Sequence, residues 1–320
     1  MKAIGAPESD DERRAEAALA TVFAGQQIRY GVACPGAASP SYHGVESATY
    51  HVADSPGAEP AYLLKVSEPA AAALLDPATA FRVADRIAGL GLAPEPLHLM
   101  PDQGAILFRR LGPEWRPATL DLLRQPDRMG AVIGAFGRIA GGAPFGSPWS
   151  VFDGIRQMRA LLGEDTGTLP PDAWFLFDWG EAIAAALDAA GTDRRPVHGD
   201  PHASNLLFGP DGALRLVDFD MGCDTDPHYQ LGALLNEACQ FESEMRLGIE
   251  IAEGTCRTET FSRCRAYGAA DDLYWGLRAL VMDTVSPRRS LEFRKYASWR
   301  LLRCRMRVTR PDFEATLRTL

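Results

Sequence analysis

The chain has 320 residues, 46% of them hydrophobic, which is enough for a large core and for two lobes. Its formal net charge is −9 and no basic patch is evident, which argues against nucleic acid as a partner. The first residues lack the apolar core of a secretion signal, and no apolar run reaches the roughly 18 residues of a membrane helix. Six cysteines without a C-x-x-C pair are typical of free thiols, so a cytoplasmic protein without membrane contact is expected.

The first third of the chain predicts a small sheet. After a flexible start, "SDDERRAEAALATVF" predicts a helix that Ser9 or Asp10 would cap. Short strand patterns follow in "IRYGVACPG", "SATYHVAD" and "AYLLKVSE", then a helix in "PATAFRVADRIAGLGL". Two more strands flank a turn at 101–104. We therefore expect an extension with a helix at 1–28 and a small lobe with an antiparallel sheet at 29–111.

The rest of the chain, 112–320, predicts a large, mostly helical lobe, so the expected fold class is α+β with two lobes. Helical periodicity is found at 128–141, 151–162, 172–191, 229–248, 257–285 and 290–306. One short β-hairpin pattern, "HGDPHASNLLFGPDGALRLVDFDM", interrupts these helices at 198–221.

This hairpin pattern carries the candidate chemistry. Asp200 and Asn205 precede its first strand and Asp218 ends its second, so pairing of the strands would gather the three side chains. Their oxygen ligands suit Mg²⁺ rather than zinc. In protein kinases a loop Asp accepts the substrate hydroxyl proton, while an Asn after four intervening residues and a strand-end Asp hold the metals. The alternative is two polar turns around a hairpin.

Upstream residues could complete a nucleotide site. Lys65 lies in the strand "YLLKV", where it could reach ATP phosphates, although an edge-strand lysine is the alternative. Gly44 permits a turn before that strand, and Ser47 with backbone N–H groups could face the phosphates. The segment "LFRRL", with Arg109 and Leu111, falls where a hinge between the lobes would carry adenine.

The chain resembles the aminoglycoside phosphotransferase and choline/ethanolamine kinase superfamily, through "VHGDPHASNLL", "LRLVDFD" and the later "GAADDLYWGLRALVMDTVS" and "KYASW". The likeness is greatest to the bacterial choline kinase branch. It implies a bilobal protein-kinase-like fold, ATP and Mg²⁺ as cofactors, and a small-molecule hydroxyl acceptor. It also implies roles for six residues: Asp200 as base, Asn205 and Asp218 as metal ligands, Lys65 on the phosphates, Asp220 supporting the metal or substrate, and His198 bracing the loop.

Two departures from that family concern the site's support. A helix Glu that should pair with Lys65 is replaced by Ala80 or Phe81, and Asp85 is the nearest acid. An Asp that pins the catalytic loop is replaced by Gln230, which can hydrogen-bond without charge.

The acceptor pocket is expected on the carboxy-terminal helices, at Tyr274, Trp275, Arg278 and Tyr296, with packing in the core as the alternative. Family members enclose choline with a W-x-x-W pattern, but here Arg278 takes the second place. A guanidinium stacked on Trp275 would repel choline, so a neutral or anionic acceptor is expected. His202 is expected to be a polar loop residue outside the chemistry.

Two other functions remain open. The missing helix Glu and Gln230 fit a catalytically impaired, nucleotide-binding protein. "HGDPH" also bears a superficial likeness to di-metal phosphohydrolases, but their further His and Asp ligands are not evident. The sequence does not indicate an oligomeric state or a particular acceptor.

Overall fold

A six-stranded antiparallel sheet forms the first part of the molecule. This computed structural model describes residues 1–39, 41–163 and 167–320. The strand order is β1-β2-β3-β4-β6-β5. The strands are β1 (Lys2–Ala3), β2 (Arg29–Cys34), β3 (Ser47–Ala53), β4 (Tyr62–Ser67), β5 (Pro96–Met100) and β6 (Ala105–Arg109). Lys65 lies on the inner strand β4, opposite Thr49 on β3 and Ile106 on β6. It is therefore not an edge-strand residue.

Two helices pack on this sheet. In α1 (Asp10–Val22), the predicted cap Ser9 accepts a hydrogen bond from the backbone N–H of Glu12 at 3.2 Å. This helix shares a buried core with the sheet. The second helix, α2 (Pro77–Gly89), buries its apolar side chains in a different core, which continues into the helical part of the chain. It therefore joins the two parts of the molecule through apolar packing.

The remainder is mostly helical, which confirms the predicted α+β class with a small antiparallel-sheet lobe and a large helical lobe. Its helices are α3 (Leu120–Leu123), α4 (Pro126–Ala140), α5 (Val151–Leu162), α6 (Ala173–Ala190), α7 (Pro227–Ala238), α8 (Glu242–Glu253), α9 (Thr258–Val285), α10 (Phe293–Val308) and α11 (Phe313–Leu317). Helix α9 is buried along most of its length and packs against α5, α6, α7 and α10. Among the described residues, no helix combines the length and apolarity that a bilayer crossing requires.

The prediction of a single helix at 229–248 is wrong, because the helix ends with α7 and a separate helix, α8, follows. The Glu244 carboxylate accepts hydrogen bonds from the backbone N–H groups of Gln240, at 2.6 Å, and Phe241, at 3.1 Å. These bonds satisfy donors at the start of α8 that a continuous helix would have bonded internally. A local side-chain cap therefore overrides the helical periodicity.

The helical lobe also contains five short strands, two of which form the predicted hairpin. They are β7 (Arg116–Pro117), β8 (Arg195–Val197), β9 (Leu206–Phe208), β10 (Leu214–Leu216) and β11 (Cys223–Thr225). Strands β9 and β10 form the hairpin, with Leu206 opposite Leu216. The N–H of Leu216 donates to the carbonyl of Leu92, on the connection from α2 to β5, at 2.7 Å. The open end of the hairpin therefore lies beside the six-stranded sheet.

The close crossing of α7 and α9 requires a glycine. A Cβ atom at Gly232 would lie 2.7 Å from the backbone oxygen of Cys264. We therefore expect Gly232→Ala to lower the free energy of unfolding by about 1–3 kcal/mol, because the helices would have to separate. In α4, a Cβ at Gly134 would meet no atom within 4 Å. Gly134→Ala is the matched control and should raise stability by about 0.5–1 kcal/mol. Urea denaturation measures both, and equal effects would contradict the prediction.

Candidate active site

Two side chains hold the buried carboxylate of Asp200 from opposite sides. One carboxylate oxygen contacts Nδ1 of His202, and the other accepts a hydrogen bond from Nδ2 of Asn205 at 2.8 Å. Asp200 is 7% exposed. Because both oxygens are held, the carboxylate has a fixed orientation beside the open end of the hairpin.

The contact with His202 shifts the pKa of both groups. Burial alone would raise the pKa of the Asp200 carboxyl, but the charge and hydrogen bond of His202 outweigh it and leave that pKa below its ordinary value. Burial alone would lower the pKa of His202, but the Asp200 carboxylate raises it to about 9. His202 is therefore an electrostatic partner of Asp200. Although it was expected to be a polar loop residue, it is in direct contact with Asp200.

His202 is in turn supported by the pair of helices α9 and α10. Its Nε2 atom lies 3.3 Å from Nη1 of Arg300, and its ring packs edge-on against Trp275 with centroids 5.2 Å apart. Arg300 is 1% exposed and also contacts Asp271 and Asp272. The loop that carries Asp200 thus packs on Trp275, next to a buried ionic cluster on the carboxy-terminal helices.

The backbone around Asp200 is fixed by Gly199 and His198. Gly199 has a φ of +83°, and a Cβ there would lie 2.1 Å from the carbonyl oxygen of Met221, so only glycine fits. Its N–H donates to the side-chain oxygen of Gln230 at 3.0 Å. Gln230 thus pins the loop as an uncharged acceptor, as expected for it. His198 lies 3.0 Å from the carbonyl of Val217 through Nε2, and burial lowers its pKa, which suits the predicted bracing role.

Asp218 is held in a strained backbone conformation beside Lys65. It has a φ of +65° and is the sole non-glycine residue with positive φ among the residues that the structure describes. Such a conformation costs on the order of 1–3 kcal/mol and is concentrated at functional sites. Nζ of Lys65 donates to Asp218 at 2.6 Å and to Asp220 at 2.7 Å. One ammonium therefore ties strand β4 to the end of the hairpin.

Negative charge exceeds positive charge around Lys65, where two carboxylates face one ammonium group. Burial lowers the pKa of Lys65, but the two carboxylates outweigh it and raise that pKa above its usual value. Burial raises the pKa of Asp220, and the Asp218 carboxylate adds to the rise, in spite of the opposing effect of Lys65. Two carboxylates sharing one cation are an environment that a further cation would stabilise.

The oxygen atoms present suit a magnesium ion. Asn205 keeps its amide oxygen facing away from Asp200, since its Nδ2 makes that contact, and Asp218 and Asp220 supply carboxylates. The described residues contain no cluster of three or more His, Cys, Asp or Glu side chains placed to hold a metal ion. Mg²⁺ typically binds through one or two carboxylates together with substrate phosphates, so a sparse protein ligand set is compatible with it.

One cavity of about 860 Å³ is lined by Lys65, Asn205, Asp218 and Asp220, and Asp200 lies behind Asn205, outside its lining. Near the sheet its walls are the apolar side chains of Leu63, Ile106 and Phe108. Its polar lining includes Ser47, Lys65, Asn205, Asp218, Asp220, Glu237, Arg303 and Arg307. The size lies in the range typical of small-molecule and cofactor sites. Of the predicted nucleotide residues, Gly44, Ser47 and Lys65 line it.

Several predicted site residues lie elsewhere. Arg109 is exposed and pairs with Glu95 at 3.0 Å, and neither it nor Leu111 lines the cavity. Asp85 is exposed on α2 and makes no contact with Lys65, so it does not replace the missing helix Glu. The four predicted acceptor residues are also outside the cavity lining: Tyr274, Trp275, Arg278 and Tyr296.

Arg278 corrects the expectation about the acceptor most directly. It is 2% exposed, and its guanidinium binds both carboxylate oxygens of Glu46. Its charge is therefore already compensated, and its guanidinium does not line the cavity. Trp275 and Tyr296 are covered by Tyr42, with ring centroids 5.5 Å and 4.9 Å from it.

The structure adds Glu237, a cavity residue that was not expected from the sequence. Glu237 follows Gln230 by seven residues, which places both on one face of α7, and its carboxylate accepts from the N–H of Ala203 at 2.9 Å. Burial raises the pKa of Glu237, in spite of the nearby positive charge of His202. The seven-residue spacing was the signal that could have identified Glu237. Trp299, the last residue of the segment "KYASW", also lines the cavity.

Comparison with known proteins identifies relatives of this chain. The model of the phosphotransferase enzyme family matches residues 37–267. No curated protein matches the chain by sequence.

Solved structures share its fold. A choline/ethanolamine kinase family protein from Mesorhizobium loti has a TM-score of 0.76 at 22% identity, covering 97% of this chain and 98% of that one. The choline kinase LicA from Streptococcus pneumoniae has a TM-score of 0.75 at 14% identity, covering 94% and 99%. The GDP complex of aminoglycoside 2′-phosphotransferase-IIIa has a TM-score of 0.60 at 12% identity, covering 93% and 98%. These likenesses establish the kinase-like fold.

The contact between His202 and Asp200 should make stability depend on pH. The folded pKa of His202 is about 9, above the ordinary value of 6.5. The stabilisation is therefore complete below pH 6.5 and is lost as the pH rises through about 9. We expect His202→Gln to lower the melting temperature by several degrees at pH 6 and hardly at all at pH 10, as measured by calorimetry. The exposed His98→Gln is the control. A deficit in His202→Gln that stays constant with pH would contradict the assignment.

Proposed function

The chain belongs to the phosphotransferase enzyme family, and from that premise we propose that it transfers the γ-phosphate of ATP to a hydroxyl group of a small acceptor molecule. The observation that carries this proposal is the geometry at the hairpin. An oriented, buried carboxylate at Asp200 directly contacts Asn205, which lines the same cavity as Lys65 and Asp218. Residues 1–28, 29–111 and 112–320 are proposed as extension, nucleotide lobe and acceptor lobe.

The nucleotide would lie between the sheet and the hairpin. The apolar walls at Leu63, Ile106 and Phe108 suit an adenine ring, while Lys65 and the N–H groups near Ser47 suit phosphates. Asn205 and Asp218 would hold Mg²⁺, which when bound offsets phosphate charge. Lys65 would then exchange one of its carboxylate partners for a phosphate oxygen, an exchange that costs little because both partners are anionic.

Asp200 would act on the acceptor hydroxyl. Since His202 keeps the pKa of Asp200 low, the carboxylate is a weak base that orients the hydroxyl by hydrogen bonding and takes its proton late in the transfer. His202 and Asn205 keep that carboxylate in place throughout. Catalysis by such a site is mainly positioning and electrostatic stabilisation.

The acceptor would approach from the end of the cavity lined by Glu237, Trp299 and Arg303. Burial raises the pKa of Glu237, and a cationic group beside it would stabilise its charged form. An acceptor that carries an amine, such as an amino alcohol or an aminoglycoside, fits this end. The argument against choline depended on an unpaired Arg278, and the pairing with Glu46 removes it.

Replacement of Asp200 tests the reaction. We expect Asp200→Asn to lower kcat by about a thousandfold or more while ATP binding, measured by calorimetry, is retained. Asp211→Asn, in the exposed hairpin turn, is the control and should leave both unchanged. The assay measures ATP consumption with Mg²⁺ and a panel of amino alcohols (choline included), aminoglycosides, sugars and hydroxy acids. Binding of ATP without turnover on any acceptor would favour the catalytically impaired alternative. Release of phosphate from monoesters without ATP would favour a phosphohydrolase.

Replacement of Glu237 tests the nature of the acceptor. Glu237→Gln should raise the KM of an amine-bearing acceptor about tenfold, because the charge-assisted contact is lost. The KM of ATP should hardly change, since Glu237 belongs to helix α7 of the helical lobe, whereas the apolar walls belong to the six-stranded sheet. An unchanged acceptor KM would exclude this carboxylate from acceptor binding.

A further inference from the structure

Arg278 connects the helical lobe to the turn that precedes β3. Its Nε donates to one carboxylate oxygen of Glu46 at 2.8 Å, and its Nη2 donates to the other. Its Nη1 donates to the hydroxyl of Tyr274 at 2.6 Å. The side chains of Arg278 and Glu46 are 3% and 11% exposed. This is a desolvated, two-pronged ion pair, which is the strong and geometrically specific form of such a contact.

Glu46 belongs to the segment that faces the nucleotide end of the cavity. We call residues 43–47 the entry turn. Its first part contains Gly44, with a φ of +59°, and it ends at Ser47, the first residue of β3; both line the cavity. A second guanidinium of the helical lobe, on Arg288, donates to the carbonyl of Gly44 at 3.2 Å. The helical lobe therefore holds the entry turn at two points.

We propose that Arg278 is a positioning residue for the nucleotide, which through Glu46 closes the entry turn over the phosphate end of the cavity. This inference rests on the proposed function in that it takes the cavity as the ATP site. In this role Arg278 holds the cleft closed and does not recognise the acceptor. A lysine could not replace it, since a point charge makes neither the two-pronged contact nor the third bond to Tyr274.

The surroundings of Arg278 exclude direct contact with the acceptor. Its guanidinium lies 5.4 Å from the ring centre of Trp275. The hydroxyl of Tyr42 donates to the same Glu46 carboxylate at 2.9 Å, and the Tyr42 ring covers Trp275 and Tyr296. The Glu46 carboxylate therefore joins the entry turn to Tyr42, whose ring covers Trp275 and Tyr296.

The test separates the two substrates. In Glu46→Gln and in Arg278→Lys we expect the KM of ATP to rise about tenfold. The KM of the acceptor and kcat at saturating ATP should change much less. In the double variant the KM of ATP should be no higher than in the more impaired single variant, because both substitutions break the same contact. A rise in the acceptor KM with an unchanged ATP KM would overturn the proposal.

A second measurement does not require turnover. Hydrogen exchange of the peptides that contain the entry turn should increase in both variants of the ATP-free protein, and calorimetry should show about tenfold weaker ATP binding. Arg265→Lys is the matched control, since Arg265 is a buried arginine on the same helix that pairs with Asp312 at 2.9 Å, away from the cavity. It should change neither quantity. If no acceptor is phosphorylated, these readouts still decide the role of Arg278, and unchanged exchange with unchanged ATP binding would refute it.

Discussion

The ammonium group of Lys65 is the contact on which the geometry of the cleft depends. It is the point where the six-stranded sheet and the hairpin of the helical lobe meet through charge, at 2.6 Å from Asp218 and 2.7 Å from Asp220. The strained backbone of Asp218 is tolerated because this pairing and the bond from the N–H of Val217 to the carbonyl of Asn205 fix the chain on both sides. Kinase-like sites usually pair such a lysine with a helix glutamate. Here the carboxylates at the hairpin end take that place.

Next to the loop that carries Asp200, a cluster of charged side chains is buried between α9 and α10. Asp271 and Asp272 are almost fully buried and are shared among Arg300, Arg303 and Arg307. A buried ion pair contributes little net stability because desolvation offsets attraction, but removing one partner is costly. The value of this cluster is therefore geometric. It fixes Arg300 beside His202, whose Nδ1 contacts the Asp200 carboxylate.

Closure of the cleft depends on a third charged contact, between Glu46 and Arg278. The sequence reading assigned Arg278 to acceptor recognition by analogy with a helix pattern in the related kinases. The reading was sound in placing the residue on the face of α9 that carries Trp275, since i,i+3 neighbours share a face. The pairing of Arg278 with Glu46 was not foreseen, because that carboxylate is supplied by the entry turn, which is remote in sequence. The same limitation hid the contact between Arg300 and His202.

The sequence by itself determined the α+β class, most of the longer strands and helices, and the grouping of Asp200, Asn205 and Asp218. These features follow from local rules, because periodicity and caps act within a few residues and a hairpin necessarily joins its two ends. The contact of Gln230 with the loop was expected from the family resemblance, not from a local rule. The tertiary structure alone decided which charges meet: Lys65 with Asp220, Arg278 with Glu46, and Arg300 with Asp271. The physical reason is that a charge buried on folding pairs with whichever opposite or polar group the packing brings within hydrogen-bond reach, and spacing along the chain does not encode that choice.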